Sequence, residues 1–386
     1  MCDFCSWVNR STANEKADTT VVNEFKPPPK KDPVIVVHGG AGSIPEKIRL
    51  AMLEDVKTAA TQAYTKLIRG SHVLDAVEDA ICYLESRKYF NCAFGGSLDC
   101  NGDVVMDAAI MDSKNQFGSV GAIRDIEHPI SLARLIMHNT DHILIVEKGA
   151  QDFALKSGIP ILPKGWLIPG PTPSPSVCSE TKPGSISEKQ HDSRDEILAV
   201  KRLPQCSPYY GQIIEENSMD VIEPTFLEVG GVGTVAYDRR GRLATGTSTA
   251  GNPGKLYGYI SPAATVPGCG IMADQTGCIS ISGPDEALYV YAPARGFLKR
   301  LNRGENVDEA LDGEIDQLRD VIRQPNVGAI ALDLNGKPAV SFKSQHFPWA
   351  YCELGWLYYG CQKNQILSEK IDGLDRPLDC MCEGVV

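Results

Sequence analysis

Residues 230–251 read Gly-Gly-Val-Gly-Thr-Val-Ala-Tyr-Asp-Arg-Arg-Gly-Arg-Leu-Ala-Thr-Gly-Thr-Ser-Thr-Ala-Gly. This pattern predicts a strand, a tight turn and a second strand rich in small hydroxyl residues, spanning about 233–248. Arg239, Arg240 and Arg242 flank the turn and read as its solvated rim. Val34 to His38 is a continuous apolar run suited to a buried strand, and the glycine turn His38-Gly39-Gly40-Ala41-Gly42 stops it.

Met52, Val56, Ala59, Ala63 and Leu67 recur at helical spacing, and Gly70 ends that helix. Val73, Ala76, Val77, Ala80, Ile81 and Leu84 mark a second amphipathic helix. Two helices in succession after one strand argue against a simple βαβ wind. Further strands are expected at 104–111, 142–146, 277–283 and 327–333, the last paired with 338–344 across Asn335-Gly336. Helices are expected from Pro129 to Met137, at 147–156, at about 285–301 and at 307–323. Residues 1–32, with three successive prolines and a Lys-Lys pair, read as a disordered tail. The Pro/Ser-rich stretch of about 163–228 reads as a disordered insert, and 361–386 as a C-terminal tail. The folded part is then 33–360. Periodicity alone gives a mixed α/β chain with two sheets.

A net charge of −11 excludes non-specific nucleic-acid binding, which needs clustered cations. No apolar run reaches the roughly 18 residues of a membrane span. The N-terminal residues lack the basic and apolar regions of a signal peptide, so the cytosol is the expected compartment. There the 13 cysteines would be mostly reduced. Cys2-x-x-Cys5 and Cys380-x-Cys382 are read either as loose tail thiols or as a shared zinc site. His38–Ser43 after a strand could be a phosphate cradle, but the chain lacks both G-x-x-x-x-G-K-[ST] and G-x-G-x-x-G. A serine hydrolase lacks its G-x-S-x-G.

Taken in order, Val34–Gly42 (VIVVHGGAG), Phe90-Asn91, Met106–Asp112 (MDAAIMD), His128–Leu135 (HPISLARL), Gly230–Gly251, Ser282-Gly283 and Phe347–Ala350 (FPWA) resemble the plant-type L-asparaginase and isoaspartyl peptidase family. Those proteins are N-terminal-nucleophile hydrolases. The resemblance implies an α+β fold, a four-layer αββα sandwich, and assembly as a homodimer. It also implies a structural sodium in the 84–91 loop, and no other cofactor or metal.

In that family the hairpin strand begins G-T-V-G-A-V-A-x-D. Its Thr cleaves the chain at its own N-terminal side and then attacks the substrate amide, with the freed α-amine as base. Counting back from Asp238, that position is Gly231. Gly231 has neither hydroxyl nor thiol, and is read as a loop-to-strand transition that tolerates positive φ. Thr234 is the one nearby substitute, but strand alternation points it to the opposite face. By resemblance Thr249 is the second active-site Thr. Ser282 and Gly283 match a Thr-Gly pair on the substrate's amide side, and Asn91 an Asn near the oxyanion position. Each could equally be a polar residue satisfied at a strand end. The family's substrate anchors, an Arg for the α-carboxylate and an Asp for the α-amine, fall on Tyr259 and Pro262. Losing both would weaken an amino-acid substrate by several orders of magnitude.

Three readings follow. One is a non-catalytic, uncleaved family member that binds an amino acid or dipeptide, if any small molecule. The second is an active asparaginase or isoaspartyl peptidase using another nucleophile such as Thr234. The third is an unrelated nucleotide-binding α/β protein.

Overall fold

The computed structural model describes residues 31–169, 229–321 and 326–371. The first strand, β1 (Val34–His38), leads through the glycine turn to α1 (Glu46–Ile68) and α2 (Val73–Glu85). Helix α1 carries Glu46 in its first turn and Lys66 in its last, each complementing the helix dipole. Helix α2 opens with a reciprocal cap: the His72 side chain accepts from the helix backbone while Asp75 accepts from the His72 N–H. Next come β2 (Met106–Asp112), β3 (Phe117–Ile123), α3 (Pro129–Asn139), β4 (Leu144–Val146) and α4 (Glu147–Lys156). The hairpin is β5 (Val232–Tyr237) and β6 (Leu243–Thr249). Beyond it lie α5 (Pro262–Thr265), β7 (Ile271–Ala273), β8 (Gly277–Ser282), α6 (Asp285–Tyr291), α7 (Pro293–Asn302) and α8 (Val307–Val321). The chain continues with β9 (Gly328–Asp333), β10 (Pro338–Phe342), β11 (Trp349–Glu353), β12 (Trp356–Gly360) and β13 (Leu367–Lys370).

Two sheets result. The 9-stranded sheet runs β13-β12-β11-β1-β5-β6-β2-β3-β4, and the 4-stranded sheet β10-β9-β8-β7. Residue alternation along the larger sheet sends two apolar sets to opposite faces. Ile35, Val37, Ile110 and Ala350 pack with Val56, Val77 and Ile130 of the first three helices. Val36, Met111, Val235 and Leu243 pack with Ile271, Cys278, Ile330 and Leu332 of the smaller sheet. The smaller sheet's other face, with Ile279, Ile281 and Ala329, meets Leu288, Phe297, Leu311 and Ile315. The fold is thus mixed α/β. No helix of the described residues is long and apolar enough to cross a membrane.

Several details depart from the sequence reading. The expected helix at 285–301 is two helices, broken at Ala292. Pro293 disfavours helical backbone at the residue before it, and Ala292 adopts φ 46° instead. Strand β3 was not anticipated; its two glycines weaken the strand signal. Gly118 is needed there because a Cβ would lie 2.3 Å from the Ala133 carbonyl oxygen of α3. Short β7 was also missed. The boundary at 360 is too early: β13 pairs antiparallel with β12, Trp356 facing Lys370, and Cys361 is buried. The cysteine pairs in the tails, and the Pro/Ser-rich insert from residue 170 to 228, lie outside the described residues.

Candidate active site

Adjacent strands β1, β5 and β6 end at one place, and the glycine turn after β1 folds over them. Gly230 N–H donates to the Ala41 carbonyl at 3.0 Å, and Gly42 bridges both Val229 and His346. The backbone N–H of Ala41 donates to Ser282 Oγ at 3.0 Å, tying this turn to the end of β8. Nearby, Gly40 N–H donates to His38 Nδ1 at 3.3 Å, so Nε2 carries the proton and donates to Ser280 Oγ at 3.0 Å. Burial pushes the His38 imidazole down to about 3, so it stays neutral. Thr245 Oγ1 donates to the Ile279 carbonyl at 2.9 Å and makes a further polar link between the sheets.

These ends enclose a cavity of about 350 Å³. Its lining includes Asn91, Gly231, Thr249, Ser282 and Gly283, so five of the residues singled out by resemblance come together. Tyr259 and Pro262 are not among the lining residues, although Ser261 and Ala263, on either side of Pro262, are. Pro262 is the first residue of α5, and Ser261 caps that turn, accepting from Ala263 N–H. Thr234 pairs with Val37 and Gly246 across the sheet. It therefore shares the face that meets α2, where a Cβ on Gly246 would touch Val77 and Ile81. Its buried Oγ1 has no hydrogen-bond partner among the described residues.

Gly231 does not use a positive φ, which corrects the expectation for it. What it uses is its missing Cβ. A Cβ there would stand 2.5 Å from Thr249 Cβ, 2.7 Å from the Ser248 carbonyl oxygen and 2.9 Å from Thr249 Oγ1. The strands have closed over the position where a side chain would be. Thr249 Oγ1 accepts from Gly251 N–H at 2.9 Å. Asn91 is committed on three sides: Nδ2 donates to the Val229 and Gly251 carbonyls at 2.9 Å each, and Oδ1 accepts from Ser97 N–H at 2.9 Å. Its amide holds the entry to β5 against the exit from β6.

Sequence reasoning missed three charged residues here. Asp285, at the start of α6, lines the cavity; its carboxylate accepts from Ser261 Oγ at 2.6 Å and from Tyr259 Oη at 3.1 Å. Asp107 is fully buried on β2 and accepts from Ala122 N–H at 2.7 Å and Ser261 N–H at 2.8 Å. Lys255 Nζ lies 3.5 Å from the same carboxylate, with its side chain almost wholly buried. Burial pushes the Asp107 carboxyl up, and the Lys255 charge and the two backbone donors pull it back. Only the family wording MDAAIMD singled out Asp107, and it gave no role.

Behind β6, Cys82, Glu85 and His128 bring candidate metal-ligand atoms within 4.8 Å of one another. The Glu85 oxygens are already engaged by Ser248 Oγ at 2.7 Å, Ile130 N–H at 3.2 Å and His128 Nδ1 at 3.2 Å. Burial and the Glu85 charge hold the Cys82 thiol well above its usual range, so a thiolate ligand is disfavoured. The cluster is a hydrogen-bonded strut between α2, α3 and β6. Burial pulls the His128 imidazole down, but the hydrogen bond and charge of Glu85 more than offset this and raise it. A raised histidine stabilises fully below its unfolded value of about 6.5, and that stabilisation fades as pH rises through the folded value. His128→Gln is therefore expected to cost about 1.5–3 kcal/mol near pH 6 and less at pH 9. Urea midpoints at the two pH values check this; an equal loss at both contradicts it.

An N-terminal-nucleophile hydrolase framework carries this arrangement. The chain matches the Asparaginase family over residues 31–356 and belongs to it. It is 32% identical over 329 residues to the isoaspartyl peptidase/L-asparaginase of Xenopus laevis, covering 85% of this chain and 94% of that one. To the protein of the same description from Danio rerio it is 31% identical over 342 residues, 88% and 98% of the two chains. The human relative shares 29% over 331 residues, 85% and 96% of the two chains.

Proposed function

We propose that this chain is an uncleaved, catalytically impaired member of the asparaginase family that keeps the family's cavity as a small-molecule site. The observation that carries the proposal is Gly231. It lines the cavity at the start of β5, it offers no nucleophile, and its neighbours leave no room for a side chain. Neither self-cleavage nor attack on an amide can begin from a glycine. Thr234, the alternative nucleophile, faces the α2 side of the sheet rather than the cavity.

The stacking of helices, large sheet, small sheet and helices by three apolar clusters supports the four-layer αββα sandwich. Homodimeric assembly and a cytosolic setting complete the reading, the second supported by unbonded thiols at Cys92, Cys100 and Cys278. A sodium ion in the 84–91 loop would share carbonyls that already accept bonds, such as Leu84 from Arg87 N–H and Arg87 from Phe90 N–H. Each carbonyl keeps a second lone pair for the ion.

The direct test is ammonia release from L-asparagine, and amino-acid release from β-aspartyl dipeptides, by the purified full chain. Rates at the uncatalysed background are expected. Turnover that Thr234→Ala abolishes would establish the alternative reading instead.

A further inference from the structure

The described lining of the cavity carries a single charged residue. Asp285 is the charged residue among the described lining residues, and both hydrogen bonds to its carboxylate come from neutral hydroxyls, Ser261 and Tyr259. Lys255 is the nearby cation, but it sits against Asp107, a second carboxylate, and is not among the lining residues. Asp107 takes that one ammonium, and Asp285 has no cation at ion-pair distance at the cavity wall; burial pushes its carboxyl up, while the two hydroxyl donors and the more distant Lys255 charge pull it back. No Arg or Lys among the described residues lines the cavity to meet a carboxylate.

Resting on the proposed loss of catalysis, we infer that the cavity takes a small primary ammonium compound lacking an α-carboxylate, held through Asp285. The ligand's cation completes the ion balance that Asp107 and Lys255 leave open. A ligand carboxylate would enter a cavity whose charge repels it. Asp285 lies close to the cavity surface but is largely buried, where a charge-assisted hydrogen bond is worth more than at an open surface. Tyr259 then has a positive role: it orients Asp285 in place of pairing with a substrate.

Three probes of nearly one shape separate the possibilities. L-asparagine carries an amide, an ammonium and a carboxylate. β-Alaninamide is the same molecule without the carboxylate, and succinamate is the same without the ammonium. Isothermal titration or ligand-observed NMR on the full chain should rank β-alaninamide first, then L-asparagine, then succinamate. Asp285→Asn should weaken β-alaninamide by about 10- to 100-fold, the value of one charge-assisted contact. Asp285→Glu should keep most of the affinity, and Tyr259→Phe, which removes one of the two hydroxyls that orient Asp285, should weaken β-alaninamide less than Asp285→Asn does. Thermal melts of the variants show whether they are folded, and the Glu variant supplies the comparison if the Asn variant is not. Equal or tighter binding of L-asparagine, preference for succinamate, or no saturable binding of β-alaninamide at millimolar concentration would each overturn the assignment. Those outcomes leave the loss of catalysis standing, whereas ammonia release from L-asparagine during the titration would overturn the functional reading itself.

Discussion

Replacing Gly231 by Thr is expected to destabilise the chain by about 1–3 kcal/mol and to start slow self-cleavage between residues 230 and 231. The destabilisation follows from contact. The new Cβ would fall 2.5 Å from Thr249 Cβ and 2.7 Å from the Ser248 carbonyl oxygen, so β5 has to move away from β6 at its first residues. Neither obstacle is the end of a flexible side chain, and the backbone must absorb the shift. Cleavage follows from chemistry. The hydroxyl arrives beside Thr249 Oγ1, and an intramolecular acyl shift needs no substrate anchor. Gly231→Ala separates the two effects: it meets the same contacts, loses similar stability and leaves the chain whole. Urea midpoints and gel analysis after long incubation read both outcomes. The cleaved Thr variant is expected to hydrolyse L-asparagine poorly, because no Arg or Lys among the described lining residues can meet its α-carboxylate. Vigorous hydrolysis from this single change would show that the cavity still holds an amino acid well.

Asp107→Ala is expected to cost more, about 3–5 kcal/mol, because it strands a buried ammonium. Lys255 would keep its charge with its only described carboxylate partner gone, and the Ala122 and Ser261 N–H groups would lose their acceptor. Asp107→Asn restores an acceptor without the charge and should fall between the two. Adding Lys255→Met to Asp107→Ala should recover part of the loss, since the two sites act as a pair. Chemical denaturation of the wild type, Asp107→Ala, Asp107→Asn, Lys255→Met and the double variant checks this. Additive losses would mean that the pair is not coupled as its geometry requires. The same variants should loosen Ser261, and through it Asp285, so β-alaninamide binding should weaken along with stability.

The sequence makes plain that residue 231 carries no hydroxyl, because identity at one position decides this. It also showed the β5–β6 hairpin and the paired helices α1 and α2, whose apolar periods are long and regular. Strand β13 was illegible for the opposite reason: Leu367 to Lys370 is exposed throughout and carries no buried face to pattern. The reason for Gly231 is not legible, since a glycine spared for close approach and one spared for positive φ look alike in a sequence. Asp285 was overlooked because an acidic residue after a proline reads as an ordinary helix start. Its cavity role comes only from the fold, which brings Ser261 and Tyr259 against it. Asp107 and Lys255 were likewise too distant along the chain to be seen as a pair.

The chain is proposed to stay in one piece because residue 231 has no side chain with which to cut it. Intact-mass spectrometry of the full chain, freshly purified and again after prolonged incubation, tests this most directly. One species at the sequence mass of 41.9 kDa is expected at both times. Two fragments whose masses join at Gly230 and Gly231, or a cut just before Thr234, would contradict it.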